Sequence, residues 1–418
     1  MNKTHRNTPL QRSPKDLIAT AVITTVALTG ITVAWAAAPI RHSELTPAEQ
    51  PFESPVVLAA LPSHLRETWR AADSAVPALV RPLVVDGLVI TANGGTVSAM
   101  DPRTGQPVWT YTRDLEVCSL GLAFNSVVAT YRNSAGCGDV TRIDAKQGTY
   151  EATRSAPAPD HVVPLASNDR VGTVSPERVE LWRSDLVRTV EYGDKTAKQE
   201  PNQQPHEACT ISSALSRKEL LAVAETCPEQ PDNTMLRFLS STPDDSREPT
   251  VKADVSVPGS DAQLIGVGQK LASVYVPSST PQLISYDDTG KEKSRLAVKP
   301  SRLVAEHLSS DTATAFAPET ADLPHHMTWF DGERLYLLNP ATLATEVIFE
   351  GAIGTGAAVG DRIAFPIPGG IAVGNWSTGK VEKTIPVDRK GYTGRVSLAV
   401  AGTTVVEKRG DAVVILRS

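Results

Sequence analysis

The sequence predicts an all-β fold: a closed β-propeller of four-stranded blades behind a single N-terminal transmembrane helix. Three observations carry this reading. A four-strand unit recurs down the chain at a near-constant period, the signature of a repeat architecture. The 28 glycines and 31 prolines among 418 residues suit a turn-rich β chain. One uncharged apolar run, Leu17 to Ile40, stands apart from the rest.

The first unit shows the pattern most clearly. Leu83-Val84-Val85 is a short apolar strand, and Asp86-Gly87 is a hairpin turn. Leu88 to Ala92 returns, and Asn93-Gly94-Gly95 turns the chain again. Thr96 to Met100 is a third strand, Asp101 to Gly105 a turn, and Gln106 to Thr112 the fourth strand.

The first turn has counterparts at Asn125-Ser126, Asn168-Asp169, Arg217-Lys218, Gly268-Gln269, Ser310-Asp311, Gly360-Asp361 and Ala401-Gly402. Residues 87 and 402 are 315 apart over seven intervals, or 45 residues per unit, a blade period. The Asp101 turn recurs at Asp144–Gly148, Arg183–Leu186, Asp287–Gly290, Asn339–Thr342 and Asn375–Gly379. Asp or Asn opens most of these because its side chain bonds the backbone two residues on.

The count is eight blades. Seven stays open because residues 305–349 are irregular, with both Met327–Phe330 and Arg334–Leu338 able to serve as a third strand. The last unit offers only three strands, ending with Ala412–Leu416. The segment around Trp69 (Thr68 to Ala71) can supply the missing fourth and close the ring, covering an open edge. Polar segments 193–206 and 228–234 read as loops within or between blades.

Lys3, Arg6, Arg12 and Lys15 precede the apolar run, whose 24 residues suffice to cross a bilayer core of about 30 Å. Basic residues on the N-terminal side place the tail in the cytoplasm and export the rest. The run exceeds the usual signal-peptide core, which favours a retained anchor; cleavage near Ala34–Ala38 and secretion is the alternative. The organisation expected is a cytoplasmic basic tail (1–16), a transmembrane helix (17–40), a Pro-rich linker (41–63) and an extracytoplasmic propeller (64–418). Pro47, Pro51, Pro55 and Pro62 favour extended backbone in the linker. A net charge of −6, spread along the chain, excludes a nucleic-acid footprint.

Four cysteines in an exported chain suggest two disulfides. Antiparallel partners across a hairpin have residue numbers with a constant sum. The turn at Asn125-Ser126 gives 251, and Cys118 with Cys137 gives 255. The turn at Arg217-Lys218 gives 435, and Cys209 with Cys227 gives 436. Each pair is therefore expected across the first hairpin of its own blade. There is no Cys-x-x-Cys, so a metal or haem role is not expected.

No catalytic, cofactor or metal residue is expected elsewhere. His325-His326 reads as a surface loop. Asp322, Asp331 and Glu333 read as solvated turn carboxylates, with no spacing that pairs them as a glycosidase requires. Gly351–Gly360 is not a phosphate loop, and no Gly-x-Ser-x-Gly elbow occurs.

Ala99, Asp101, Thr104, Gly105 and Trp109 resemble the Ala-x-Asp-x-x-Thr-Gly-x-x-x-Trp repeat of the quinoprotein propellers, the PQQ-like repeat family. The match is complete once; Asp144–Tyr150 and Asn375–Lys380 are degenerate copies. The resemblance implies that Trp109 docks between neighbouring blades. Dehydrogenases of that family hold PQQ and calcium at the axis, beneath a disulfide between adjacent cysteines. This sequence has no Cys-Cys pair and no matching run of ligands, so neither PQQ nor calcium is expected. Other members are non-catalytic, including a scaffold in outer-membrane protein assembly, and the chain is also similar to single-pass membrane proteins of actinobacteria. The function expected is a membrane-anchored interaction or scaffold module binding a protein or envelope component. The alternative is a PQQ-type dehydrogenase or an enzyme acting on envelope glycans.

Overall fold

The computed structural model describes residues 13–167, 169–194, 203–311 and 314–418. Lys3, Arg6, Arg12, Asn168 and part of the 193–206 loop lie outside the described residues. The chain divides into two compact units, one ending at Glu44 and one spanning Leu45–Ser418.

The first unit is built on a helix, Pro14–Ala36. It starts three residues before the apolar run because Ser13 and Asp16 form a capping box and Pro14 occupies the first turn. It stops before the run does, ahead of Pro39. The helix is long and apolar enough to cross a membrane.

The second unit is an eight-bladed propeller. Blade 1 runs Leu83–Val85, Leu88–Asn93, Thr96–Met100 and Pro107–Arg113. Blades 2, 3, 4 and 5 begin at Val117, Val163, Thr210 and Gln263; blades 6, 7 and 8 begin at Glu319, Ala357 and Val396. In blade 8 the strands Val396–Ala401, Thr404–Arg409 and Ala412–Arg417 are completed by Arg66–Ala72, which pairs antiparallel with Ala412–Arg417. The ring therefore closes on a strand from the N-terminal side.

Inner strands are buried on both sides and read as apolar runs, such as Leu220-Leu221-Ala222-Val223-Ala224. Outer strands alternate, as in Val251–Pro258. The core lies between blades, where Phe238, Tyr275, Trp329 and Tyr336 form part of one cluster. Strands alternate in direction, so the 1–2 and 3–4 turns of every blade share one face, called here the turn face.

In all eight blades the ladder between strands three and four carries a β-bulge at the same place. The residue just after it is Trp109 in blade 1 and Trp69 in blade 8. In blades 2 to 7 it is Ala152, Val190, Ala253, Ser294, Val347 and Lys383. The repeat thus survives in backbone geometry where its tryptophan is lost.

Four sequence expectations need correction. Ser310-Asp311 is not a blade turn: a short helix, Arg302–Leu308, capped by the Ser301 hydroxyl, occupies this region. The first turn of blade 6 is at residues 323–326, making Met327–Phe330 its second strand and Arg334–Leu338 its third. Residues 230–234 are not loop but the start of the long strand Gln230–Ser240, stabilised by pairing on both sides. Cys137 stands in the third strand of blade 2, opposite Arg132, rather than in the second.

The segment from Leu45 to Leu61 lies across the turn face as a strap. Ala48 and Phe52 donate backbone N–H bonds to Gln147 and Lys146 of blade 2 at 2.9 and 3.1 Å. Leu58 donates to Gly402 of blade 8 at 2.9 Å. Pro55 rests on Gly87 and Gly402, where an added Cβ would meet its ring at 2.4 and 2.3 Å. Phe52, Leu58 and Leu61 pack against the blade cores.

Candidate functional site

The first strands surround an axial cavity of about 620 Å³. Its walls mix apolar and polar surface in nearly equal measure: Val84, Leu122, Leu165, Val267, Ala357 and Ala399 come from six different blades, and six charged residues line it as well. These strands are largely apolar because many of their side chains also pack between blades. Two inserted segments narrow the space. Residues 78–82 enter before blade 1, and Phe316 to Pro318 enter before blade 6, where the Phe316 N–H reaches Ser212 O at 2.7 Å.

Four of the six charged residues lining the cavity, Arg81, Arg217, Glu319 and Asp322, have partners for their side chains; Asp169 and Lys218 line it too. Arg217 Nη1 lies 3.0 Å from Asp322 Oδ1, at the ends of the first strands of blades 4 and 6. Arg81 Nη1 donates to Thr320 O at 3.0 Å. Desolvation brings the Arg81 guanidinium down to about 10, opposed by the nearby Asp322 carboxylate. Glu319 is 3% exposed, and Arg395 Nη1 lies 2.7 Å from its Oε1. Burial pushes its carboxyl up to about 7 against the pull of Arg395, and Oε2 has no partner.

The cysteines sit on the opposite face. Cys118 is bonded to Cys137 and Cys209 to Cys227, closing separations of 19 and 18 residues. Cys209 and Cys227 span the first hairpin of blade 4. Cys118–Cys137 reaches from the first strand of blade 2 to the third, at the bulge that follows Val117. His206, Cys209 and Glu225 lie close enough to suggest a metal, but the Cys209 sulfur is already in a disulfide. Glu225, fully buried, accepts from Tyr192 Oη at 2.8 Å and Arg237 Nε at 2.8 Å. It is a satisfied core carboxylate.

The motif residues lie at blade joints. Asp101 Oδ1 accepts the Arg103 N–H at 2.8 Å, and Gly105 takes φ +72°. The Thr104 hydroxyl accepts the Gln106 N–H at 3.2 Å, and Ala99 pairs with Trp109 across the sheet. Trp109, 1% exposed, donates from Nε1 to Ala145 O of blade 2 at 2.7 Å and lies against Gly148. Trp69 does the same at the closing joint, donating to Pro102 O at 3.0 Å and resting on Gly105. Where tryptophan is absent, other donors span the joint. Arg142 donates to Ser184 O, and the Ser285 hydroxyl reaches Thr342 O at 2.8 Å.

His326 is not in a solvated loop. It is buried against Trp376, with its Nε2 2.7 Å from Glu346 Oε2. Sequence reasoning missed this because the partners come from different strands and blades. Asp331 is likewise buried, paired with Arg334 at 2.7 Å, whereas Glu333 and Asp322 keep exposed carboxylates.

No family model matches the chain, and no curated protein matches it. Solved structures do. Quinohemoprotein alcohol dehydrogenase ADHIIG from Pseudomonas putida HK5 aligns at a TM-score of 0.52 and 13% identity, over 84% of this chain and 76% of that one. The computationally designed Ika8 protein aligns at 0.50 and 13% identity, over 87% and 99%. BamB from Moraxella catarrhalis aligns at 0.47 and 14% identity, over 85% and 100%. At such identities the likeness is one of fold. In fold, this chain is an eight-bladed β-propeller, sharing a likeness of fold with that dehydrogenase and with the designed protein.

Proposed function

We propose that this protein is a membrane-anchored, extracytoplasmic interaction module without catalytic activity, receiving a protein or envelope component at the axial mouth of the turn face. The observation that carries this reading is the pairing of charged groups at the axial cavity: Arg217 with Asp322, and Glu319 with Arg395 behind it. A catalytic axis needs polar groups free to meet substrate. The same pairing, together with four cysteines committed to separated hairpin positions, disfavours PQQ and calcium as residents.

The helix Pro14–Ala36 would serve as a retained anchor with the basic tail in the cytoplasm. The two disulfides fit an oxidising compartment.

The test is site-specific photo-crosslinking in intact cells. A crosslinker at Lys218, on the axial mouth, should yield a discrete adduct that the same group at Tyr150, on the rim, does not. Equal adducts from both sites, or saturable calcium-dependent PQQ binding by calorimetry, would overturn the reading.

A further inference from the structure

The strap turns apolar side chains outward. Val56 and Val57 are 82% and 72% exposed, more than any other large apolar residue described between Leu45 and Ser418. Two adjacent valines held in water add nothing to packing. Phe52 and Leu58, on either side of them, pack inward instead.

The backbone between those two seats is equally unclaimed. Phe52 N–H bonds Lys146 O and Leu58 N–H bonds Gly402 O, but no backbone–backbone bond involves residues 53–57. None of these five residues belongs to a helix or strand. Pro51 and Pro55 favour extended chain. Pro55 only rests on Gly87 and Gly402, so the segment can lift without breaking a sheet ladder. An extended chain with free N–H and C=O groups is the form that adds as a strand to the edge of another protein's sheet, the way endoproteases seat a substrate.

The position of this segment in the chain gives cleavage a consequence. It follows the helix Pro14–Ala36 and precedes Arg66–Ala72, the strand that closes the ring. One cut leaves the four strands of every blade on the C-terminal piece. Cuts in loops 243–249 or 278–281 fall between strands of a single blade and detach nothing. The N-terminal piece keeps a short edge strand ending at Thr46, the Ala48 and Phe52 bonds, and half-buried Leu45 and Phe52. So small a contact does not hold two separate chains together on dilution.

We propose that the strap is a processing site, at which an endoprotease with a pocket for small aliphatic side chains hydrolyses the Val56–Val57 bond and frees the propeller from its anchor. Water adds its oxygen to the Val56 carbonyl carbon, and Val57 leaves as a free amine. The two neighbouring bonds are less suited. Ser54–Pro55 ends in a ring nitrogen, and Val57–Leu58 ends in the residue seated on Gly402. The proposal rests on reading the helix as a retained anchor. Removal of the helix as a signal peptide would instead start the mature chain between Ala37 and Pro39.

The test is the N-terminal sequence of the protein in the membrane and in the extracytoplasmic soluble fraction of cells that make it. The expected result is intact chain in the membrane and a soluble form beginning at Val57. Intact chain alone, or a soluble form beginning elsewhere in the strap, would overturn the proposal and leave the anchor standing. A single form beginning between Ala37 and Pro39 would overturn both. Val56→Asp puts a charge where the protease pocket takes an apolar side chain, so release should fall at least about 10-fold, and undiminished release would overturn the proposal. Val56→Ala should still be cut at the same bond. The side chain lies in solvent, so both variants should melt like wild type. Pancreatic elastase, added to the full chain in detergent micelles, should cut first at Val56–Val57. A first cut inside a blade would show that the strap is not the accessible site and would overturn the proposal.

Discussion

The indole Nε1 of Trp69 donates to the carbonyl oxygen of Pro102 across the joint where the ring closes. Trp109 makes the equivalent bond to Ala145 one joint on. Two consecutive joints, 8 to 1 and 1 to 2, therefore use the same wedge, and they flank the blade with the one intact motif.

Trp109 is the more buried of the two, so its truncation should be the more damaging. Trp109→Ala is expected to cost about 3–5 kcal/mol in denaturant unfolding, through cavity formation. Trp109→Phe, which loses the bond to Ala145 O but keeps most of the volume, should cost about 1–2 kcal/mol. Equal costs for the two would show that packing plays no part in the joint.

The glycine beneath each wedge should be equally selective. Gly94 and Gly148 both have positive φ, at +57° and +67°. An added Cβ meets nothing within 4 Å at Gly94 but lies 2.4 Å from the Trp109 ring at Gly148. Both alanine variants share the left-handed penalty of about 1–2 kcal/mol. Gly148→Ala should lose about 1–3 kcal/mol more, measured by urea titration of the pair.

Non-reducing peptide mapping should recover Cys118 joined to Cys137 and Cys209 joined to Cys227. Reduction should cost roughly 3 kcal/mol for each closed loop in the chain-entropy model. A melting temperature unmoved by reductant would contradict a stabilising role for both staples.

Glu319 should give the propeller a pH dependence near neutrality. Its folded carboxyl titrates at about 7, against an ordinary 4.5. The folded state therefore binds more protons between those values, and stability falls as pH rises through that window. The shift corresponds to a loss on the order of 3 kcal/mol, complete above about pH 7. Glu319→Gln, which cannot ionise, should flatten the decline in melting temperature between about pH 5 and 7.5.

The strap can be released selectively. Val56 and Val57 are 82% and 72% exposed and follow directly after Pro55. Gly402→Ala would push a methyl into the Pro55 ring, so cleavage by a protease of broad specificity within 53–58 should accelerate. Rates matching wild type would mean that the glycine does not hold the strap.

Local features were legible in the sequence, as were ring closure by the Trp69 segment and, through the motif, the Trp109 joint; most other relationships between blades were not. The Asp101 and Asn375 turns could be read because their side chains bond backbone two residues away. The cysteine partners could be read from hairpin arithmetic, although the second strand of blade 2 ends at Asn133 and the turn after it puts Cys137 on the third strand. Ser310-Asp311 misled because nothing in a turn-like pair announces that the Ser301-capped helix beside it breaks the period. The grouping of His326 with Glu346 and Trp376 joins two blades, and no spacing rule links them. The strap was legible as extended but not as docked, since its seat depends on glycines 87, 360 and 402.

Closure by Arg66–Ala72 carries a consequence for synthesis. Thr68, whose hydroxyl reaches Ile415 O, precedes it by 347 residues. At about 5–20 residues per second the ribosome needs roughly 20–70 s to cover that distance. Throughout that interval the earliest-made strand of the ring has no mate, and its edge is open to rival pairing. The final six-residue strand is thus the last stone set in the ring, and a nascent chain stopped short of Ala412 would be recognisable to quality control by its one unzipped seam.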